Sequence, residues 1–194
     1  MSWSLEQSYT EYPAVEEEFE ESLDESLTPR GPDVLFDLVA EMSLPAGATA
    51  VDAGCGEGGH AIALAERFGL AVTGVDPVPR HIEVARAARH GVAVEFRLGT
   101  VEELPVPDRG ADLVWCRDVL VHVADLERAY REFRRVLKPG GRALIYQMFG
   151  TESLEPREAA WLFATMGVVP ANAERATTEA AMAAAGLRID RVVE

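Results

Sequence analysis

Cysteine is scarce: only Cys55 and Cys116 occur in 194 residues. Two are too few for a disulfide framework, and both fall in segments that read as strand ends, so a reducing compartment is expected. No apolar run approaches the roughly 18 residues of a membrane span, and the acidic N-terminus lacks the basic start and apolar stretch of a secretory signal. These absences point to a cytoplasmic protein. Basic residues are also few, 18 Lys and Arg against 33 Asp and Glu, for a formal net charge of −15. That excess disfavours nucleic-acid phosphates and anionic membranes as partners. The four histidines and two cysteines show no zinc-site spacing, and Asp24, Asp33 and Asp37 show no calcium-loop pattern, so no metal is expected.

What is present suits one globular domain with a sizeable core: 48% of the residues are apolar and 7% aromatic. Residues 1–30 stand apart, with nine acids and one base, and so supply −8 of the net charge. Within them Trp3, Leu5, Tyr9, Tyr12, Val15, Phe19, Leu23 and Leu27 recur at helical intervals. This arm suits short amphipathic helices with a solvated acidic face, or a helical arm folded across a ligand site. From residue 31 onward a domain unfolds as alternating short β-rich runs and helical periods. A helix begins near Val34, strands are expected at 49–51, 71–75, 92–96, 111–116 and 142–149, and helices at 79–90 and 125–137. That alternation predicts an α/β fold, a largely parallel sheet with helices on both faces. Residues 150–176 interrupt it as a cap-like insertion with a helix over 158–166. A helix over 176–185 and a sixth strand over 187–193 close the chain.

The most informative stretch runs Val51-Asp52-Ala53-Gly54-Cys55-Gly56-Glu57-Gly58-Gly59. It joins a buried strand to a helix, and its glycines let backbone approach a ligand closely, with N–H groups at the helix start facing it. Gly54, Gly56 and Gly59 satisfy the dinucleotide pattern, and Asp76 ends the second strand where an acid grips ribose hydroxyls. The pattern alone leaves a dinucleotide and another adenosine ligand both open. Asp52, immediately before the loop, repels a pyrophosphate and suits a ligand carrying an ammonium or sulfonium group.

Further along, Gly74-Val75-Asp76, Gly99-Thr100-Val101-Glu102-Glu103-Leu104-Pro105, Asp112 to Leu120 and Leu137-Lys138-Pro139-Gly140-Gly141-Arg142 follow in order. Together with Val51 to Gly58, these stretches resemble the successive motifs of the class I S-adenosylmethionine-dependent methyltransferases, from about residue 34 to 149. The resemblance implies a Rossmann-like open parallel sheet and S-adenosyl-L-methionine as cofactor, with S-adenosyl-L-homocysteine as product. It implies methyl transfer to an oxygen, nitrogen or carbon nucleophile of a small, partly apolar acceptor. The alternative is a regulatory or structural protein that binds the cofactor without turnover.

Carried over residue by residue, Gly54, Cys55 and Gly56 lie beneath the amino-acid end of the cofactor, with Asp52 on its ammonium side. Asp76 accepts from both ribose hydroxyls, Pro77 lies near the adenine, and Tyr9 closes the pocket from the arm. Many family members have an aspartate where this chain has Thr100; its hydroxyl, the Val101 backbone and Glu102 are the substitutes at the adenine. Cys116 lines the methionyl passage as a strand residue. Arg117 and Asp118 suit either a substrate-facing pair or a structural ion pair. His122 follows the fourth strand as candidate general base, or else packs that segment, while His81 and His90 read as surface residues. Tyr12 and the apolar group of Trp161, Leu162, Phe163 and Met166 suit the roof of an acceptor site, or the group packs a helix onto the sheet. The family sheet ends on an antiparallel strand that has no counterpart here. A truncated chain, a natively short one, or a homo-oligomer whose neighbour completes the sheet are the three explanations.

Overall fold

The computed structural model describes residues 31, 33–151 and 154–193; the expected arm over 1–30, with Tyr9 and Tyr12, lies outside them. The chain divides into two units, residues 1–46 and 47–194. The first carries helix α1 (Val34–Glu41), with Leu35, Phe36 and Val39 buried along one face.

The second unit is built on a five-stranded, all-parallel sheet: β1 (Thr49–Ala53), β2 (Ala71–Asp76), β3 (Val94–Leu98), β4 (Ala111–Arg117) and β5 (Leu137–Tyr146), in the order β3-β2-β1-β4-β5. The order reverses at β1, between β2 and β4, where open sheets of this kind form a crevice at their carboxyl ends. β1 and β4 are buried along nearly their whole length, which is why they read as continuous apolar runs and not as alternation. Helices α2 (Gly59–Phe68), α3 (Pro79–Ala88) and α4 (Leu126–Val136) fill the crossovers. Leu126, Ala129, Tyr130, Phe133 and Val136 form the inward stripe of α4, packed into one core with Val51, Val75, Val114 and Cys116. Asp125 caps that helix by accepting the Arg128 N–H at 2.9 Å.

Three strand expectations shift. β3 occupies 94–98 and not 92–96, because Gly91, at φ +71°, is still turning the chain. β5 starts at Leu137, which pairs with Ala111; the ladder then slips over Lys138–Gly141 and resumes with Arg142 opposite Leu113. It ends at Tyr146, whose carbonyl accepts the Asp118 N–H at 2.8 Å. Residues 187–193 form no strand, so the described residues contain five strands where six were expected. Leu187 instead donates its N–H to Met182 at the end of α6 (Arg175–Ala184), and Ile189, Val192 and Val193 stay exposed. Alternating apolar residues make a strand only where a partner edge receives them.

The loop after β3 is bolted to α4. Arg135 donates to the Leu104 and Val106 carbonyls at 2.9 and 2.8 Å, to Asp108 at 2.8 Å and to both oxygens of Glu132 at 2.6 and 2.7 Å. Glu132 in turn accepts the Leu104 N–H at 2.8 Å. Every guanidinium direction is thus used in holding the loop. Arg135→Ala is expected to lower stability by about 2–3 kcal/mol, since carbonyls and a carboxylate lose a charged donor. Urea denaturation measures this, and a loss under about 0.5 kcal/mol would show the clamp to be superficial.

Candidate active site

The glycine turn leaves β1 at Ala53 and enters α2 at Gly59. Gly54 and Gly58 take φ of +85° and +90°, and a Cβ at Gly58 would lie 2.5 Å from the buried Phe96 ring. Only glycine fits these two places. The loop's donors are largely spent within the protein. The Gly54 and Cys55 N–H groups both donate to the Val75 carbonyl, at 2.8 and 3.0 Å, and that of Gly58 to Cys55 at 2.9 Å. Gly56 N–H donates to Asp76 Oδ2 at 3.0 Å. An anion would find few of these loop N–H groups available; the groups expected to face a ligand are those at the start of α2, which these bonds do not involve. The turn does not have the makings of a pyrophosphate cradle.

It has the makings of a cation site. Asp52 is 2% exposed, and its Oδ2 has no hydrogen-bond partner. Burial, and then the nearby Asp76 carboxylate, push its pKa up to about 8, against a smaller lowering from the Ala61 N–H. A buried carboxyl with an idle oxygen at the mouth of a glycine turn is suited to an arriving ammonium group.

Asp76 ends β2 beside it. Its Oδ1 accepts the Val78 N–H at 2.9 Å and lies 3.0 Å from His81 Nδ1, while Oδ2 holds Gly56. Those contacts fill most of the lone-pair directions of a carboxylate, leaving about one for an outside donor. His81 is itself buried, at 3% exposed, which corrects its reading as a surface residue. The helical phase of α3 turns its third residue back over the end of β2. Gly99, whose N–H donates to the Asp76 carbonyl at 3.1 Å, brings the next loop alongside. There Thr100 is exposed, Val101 buried, and Glu102 Oε1 accepts the Asp125 N–H at 3.3 Å, which draws that carboxylate toward the start of α4. Pro77 is exposed beside Asp76.

On the other side of β1, Cys116 is fully buried and its thiol is pushed up by burial and by Asp52 and Asp118. Cys55 is likewise raised, first by burial and then by Asp52 and Asp76. Neither thiol offers a nucleophilic thiolate. Arg117 Nη1 lies 2.9 Å from His60 Nε2; a guanidinium only donates, so His60 accepts and its proton sits on Nδ1. Asp118 is buried at φ +51°, and its carboxyl accepts the Met148 N–H at 3.4 Å. Burial raises its pKa, partly offset by that N–H, His122 and Arg117. A non-glycine residue held in the left-handed region marks a turn the surroundings dictate.

His122 closes a short 3₁₀ turn (Leu120–His122), with Nδ1 3.3 Å from the Gly167 carbonyl. Since a carbonyl only accepts, that contact places the ring proton on Nδ1 and leaves Nε2 as an acceptor. Gly167 ends helix α5 (Pro156–Met166), no side chain of which is buried. Trp161 is 68% exposed, and Leu162, Phe163 and Met166 are half-buried.

Asn172 went unnoticed in the sequence. It is 4% exposed, and its Nδ2 donates to the Leu120 and Val123 carbonyls at 2.9 and 2.8 Å, while its own carbonyl accepts from Gln147 Nε2 at 2.6 Å. It ties the turn holding His122 to the base of the insertion, helped by the Val169 N–H to Val121. An amide in a Pro-Ala-Asn-Ala stretch carries no periodic signal that would single it out.

Comparison with known proteins bears on this geometry. Residues 51–145 match the family described as a methyltransferase domain. The ubiquinone biosynthesis O-methyltransferase of Xanthomonas axonopodis pv. citri is 34% identical over 137 residues, covering 69% of this chain and 54% of that protein. In fold, the chain is similar to Haemonchus contortus phosphoethanolamine N-methyltransferase 2 in complex with S-adenosyl-L-methionine, with a TM-score of 0.73 at 22% identity, over 95% of this chain and 44% of that one. It is also similar to the [4+2]-cyclase SpnF, with a TM-score of 0.64 at 29% identity, over 81% and 57%. The chain spans about a quarter to a half of the length of curated relatives it matches.

Proposed function

This chain belongs to the class I S-adenosylmethionine-dependent methyltransferases, and from that membership we propose that it transfers a methyl group to an oxygen, nitrogen or carbon nucleophile of a small, partly apolar acceptor. The observation that carries the reading is Asp52, a buried carboxyl with an idle oxygen beneath a turn whose Gly54, Cys55, Gly56 and Gly58 N–H groups are already used. Those acceptors fit a ligand with an ammonium group and a ribose, and they do not fit a pyrophosphate.

S-adenosyl-L-methionine, when bound, supplies an electrophilic methyl on sulfur. The protein's part is to bind, align and keep water away. Asp52 Oδ2 holds the ammonium end, over Gly54, Cys55 and Gly56. Asp76 takes a ribose hydroxyl with the lone pair its three donors leave. Pro77, Thr100, Val101 and Glu102 border the adenine, and Cys116 walls the methionyl end. Arg117 and Asp118 face the acceptor at the end of β4, with Trp161 and Phe163 as apolar groups of its roof. A protonated nucleophile of weak acidity gives its proton to His122 Nε2, which the Gly167 carbonyl orients through Nδ1. We place the protein in the cytoplasm, acting without nucleic acid or membrane, with a homo-oligomer as its assembly. No helix among the described residues is long and apolar enough to cross a membrane.

The test is calorimetric titration of S-adenosylhomocysteine, with NAD and ATP as controls. Micromolar one-to-one binding that falls at least tenfold in Asp76→Ala is expected, and binding of NAD alone would overturn the cofactor assignment. A second reading is a regulatory or structural protein of this fold that binds the cofactor without turnover; likeness to a chain named as a [4+2]-cyclase shows that the fold alone does not fix methyl transfer. Tight binding without transfer of a labelled methyl to any acceptor screened would select it.

A further inference from the structure

The ribose site has a support that the sequence motifs do not include. His81 lies on the first turn of α3, at 3% exposed, with Nδ1 3.0 Å from Asp76 Oδ1. The same carboxylate accepts the Val78 N–H through Oδ1 and the Gly56 N–H through Oδ2. Backbone donors on either side of Asp76 hold its two oxygens from the chain itself. His81 is the side chain that engages it from a neighbouring element.

We propose that His81 is a positioning residue for cofactor binding, one that fixes the plane of the Asp76 carboxylate and, through Oδ2, the height of the glycine turn at Gly56. The inference rests on the reading of Asp76 as the ribose acceptor. A carboxylate on a strand end can turn about its χ2, a broad and soft torsion. Gly56 and Val78 hold opposite oxygens through backbone alone, Gly56 from the glycine turn and Val78 from the cap of α3. A donor on a packed helix breaks that freedom. His81 is held by the burial of α3 against β2 and β3, where Ile82 and Ala85 are buried on the same face. With Asp76 so fixed, one lone-pair direction stays open for a ribose hydroxyl, and the ordering is complete before the ligand binds. The contact does not touch the acceptor side: Arg117 ends β4 across β1, and Asp118 and His122 lie on the segment that follows it.

A side chain acting this way affects cofactor affinity and leaves turnover alone. His81→Leu keeps an apolar, similar-sized filler and removes the donor. It is expected to weaken S-adenosylhomocysteine about 10- to 100-fold, the span of a hydrogen bond to a charged group. His81→Asn places its Nδ2 the same number of bonds from Cα as the histidine Nδ1, and is expected to restore binding to within about threefold of the parent. His81→Gln, one bond longer, is expected to fall between. With an acceptor in hand, the KM for the methyl donor rises in His81→Leu while kcat at saturating donor stays within about twofold.

Calorimetry with S-adenosylhomocysteine on the full chain, with a thermal melt of each variant, decides the matter. Weakened binding in His81→Leu with rescue by His81→Asn supports the inference. A lowered melting temperature in His81→Leu with an unchanged Kd overturns it, because the histidine would then be a packing residue. Loss of binding that His81→Asn fails to rescue, in a variant that melts like the parent, overturns it as well. Asp76→Ala keeps the two levels apart. If that variant binds as tightly as the parent, the reading of Asp76 itself fails; if it loses binding while His81→Leu does not, the inference on His81 alone fails.

Discussion

Replacing Gly54 with alanine is expected to abolish measurable cofactor binding and to lower stability by about 2–4 kcal/mol. Two costs add at this position. The backbone sits at φ +85°, where a Cβ is strained, and the new methyl would lie 2.2 Å from Val119 Cγ2 and 2.8 Å from Cγ1. Val119 cannot swing away cheaply, because a β-branched side chain has one good rotamer and its Cβ is itself 3.0 Å off. Relief must come from moving the backbone after β4, which is the turn that holds Asp118 and His122. The ligand side and the acceptor side of the site would thus be disturbed by a single methyl. Gly59→Ala is the control. A Cβ there meets nothing within 4 Å, and at the start of α2 alanine is at least as good a helix residue. Urea denaturation of the two variants should separate them clearly; equal stability would mean that the turn yields and that the close approach to Val119 is not a constraint.

Cofactor binding is also expected to strengthen with pH, by close to tenfold between pH 6 and pH 7 and less steeply toward pH 8, with uptake of the ligand releasing close to one proton near neutrality. The cause is Asp52. With its pKa pushed up to about 8 by burial and by Asp76, the carboxyl is mostly protonated at pH 7 in the free protein. An ammonium group on Oδ2 favours the ionised form, so the proton leaves as the ligand arrives. Calorimetry in two buffers of different ionisation enthalpy measures that proton directly. The free protein's own stability moves the other way. Native Asp52 binds a proton more tightly than an unfolded aspartate, with its ordinary value of 3.8. Its contribution is therefore greatest at and below pH 4, is lost progressively from about pH 4 to about pH 8, and changes no further above that. Asp52→Asn should remove both trends. Binding that is flat across this range, with no proton released, would remove Asp52 from the ammonium site.

The membership and the sheet were legible because they rest on local patterns. A buried apolar run ending in Asp, a glycine turn and a helical period together specify strand, loop and helix without reference to anything distant. The same holds for β2 ending at Asp76 and for the Leu137-to-Arg142 turn entering β5. Residues whose role depends on what lies across a gap were not legible in this way. His81 sits in a polar-looking stretch, Pro-Arg-His, and only the packing of α3 on β2 turns it onto Asp76. Asn172 gains its role from carbonyls 49 and 52 residues away. The apolar tail from Leu187 to Val193 has the composition of a strand, and the structure leaves it unpaired because composition cannot supply an edge.

The sequence by itself determined the order of elements, the glycine turn, the acids at the ends of β1 and β2, and through them the chemical class of ligand. These follow from backbone preferences and from burial, which act over a few residues. The tertiary structure decided where the hydrogen-bonding capacity goes: that the Gly54, Cys55 and Gly56 N–H groups are consumed by Val75 and Asp76, that one oxygen of Asp52 is left idle, and that His81 braces its neighbour. Each of those is a pairing between groups from different elements, and a donor or acceptor is spent or spare only after the whole chain has packed.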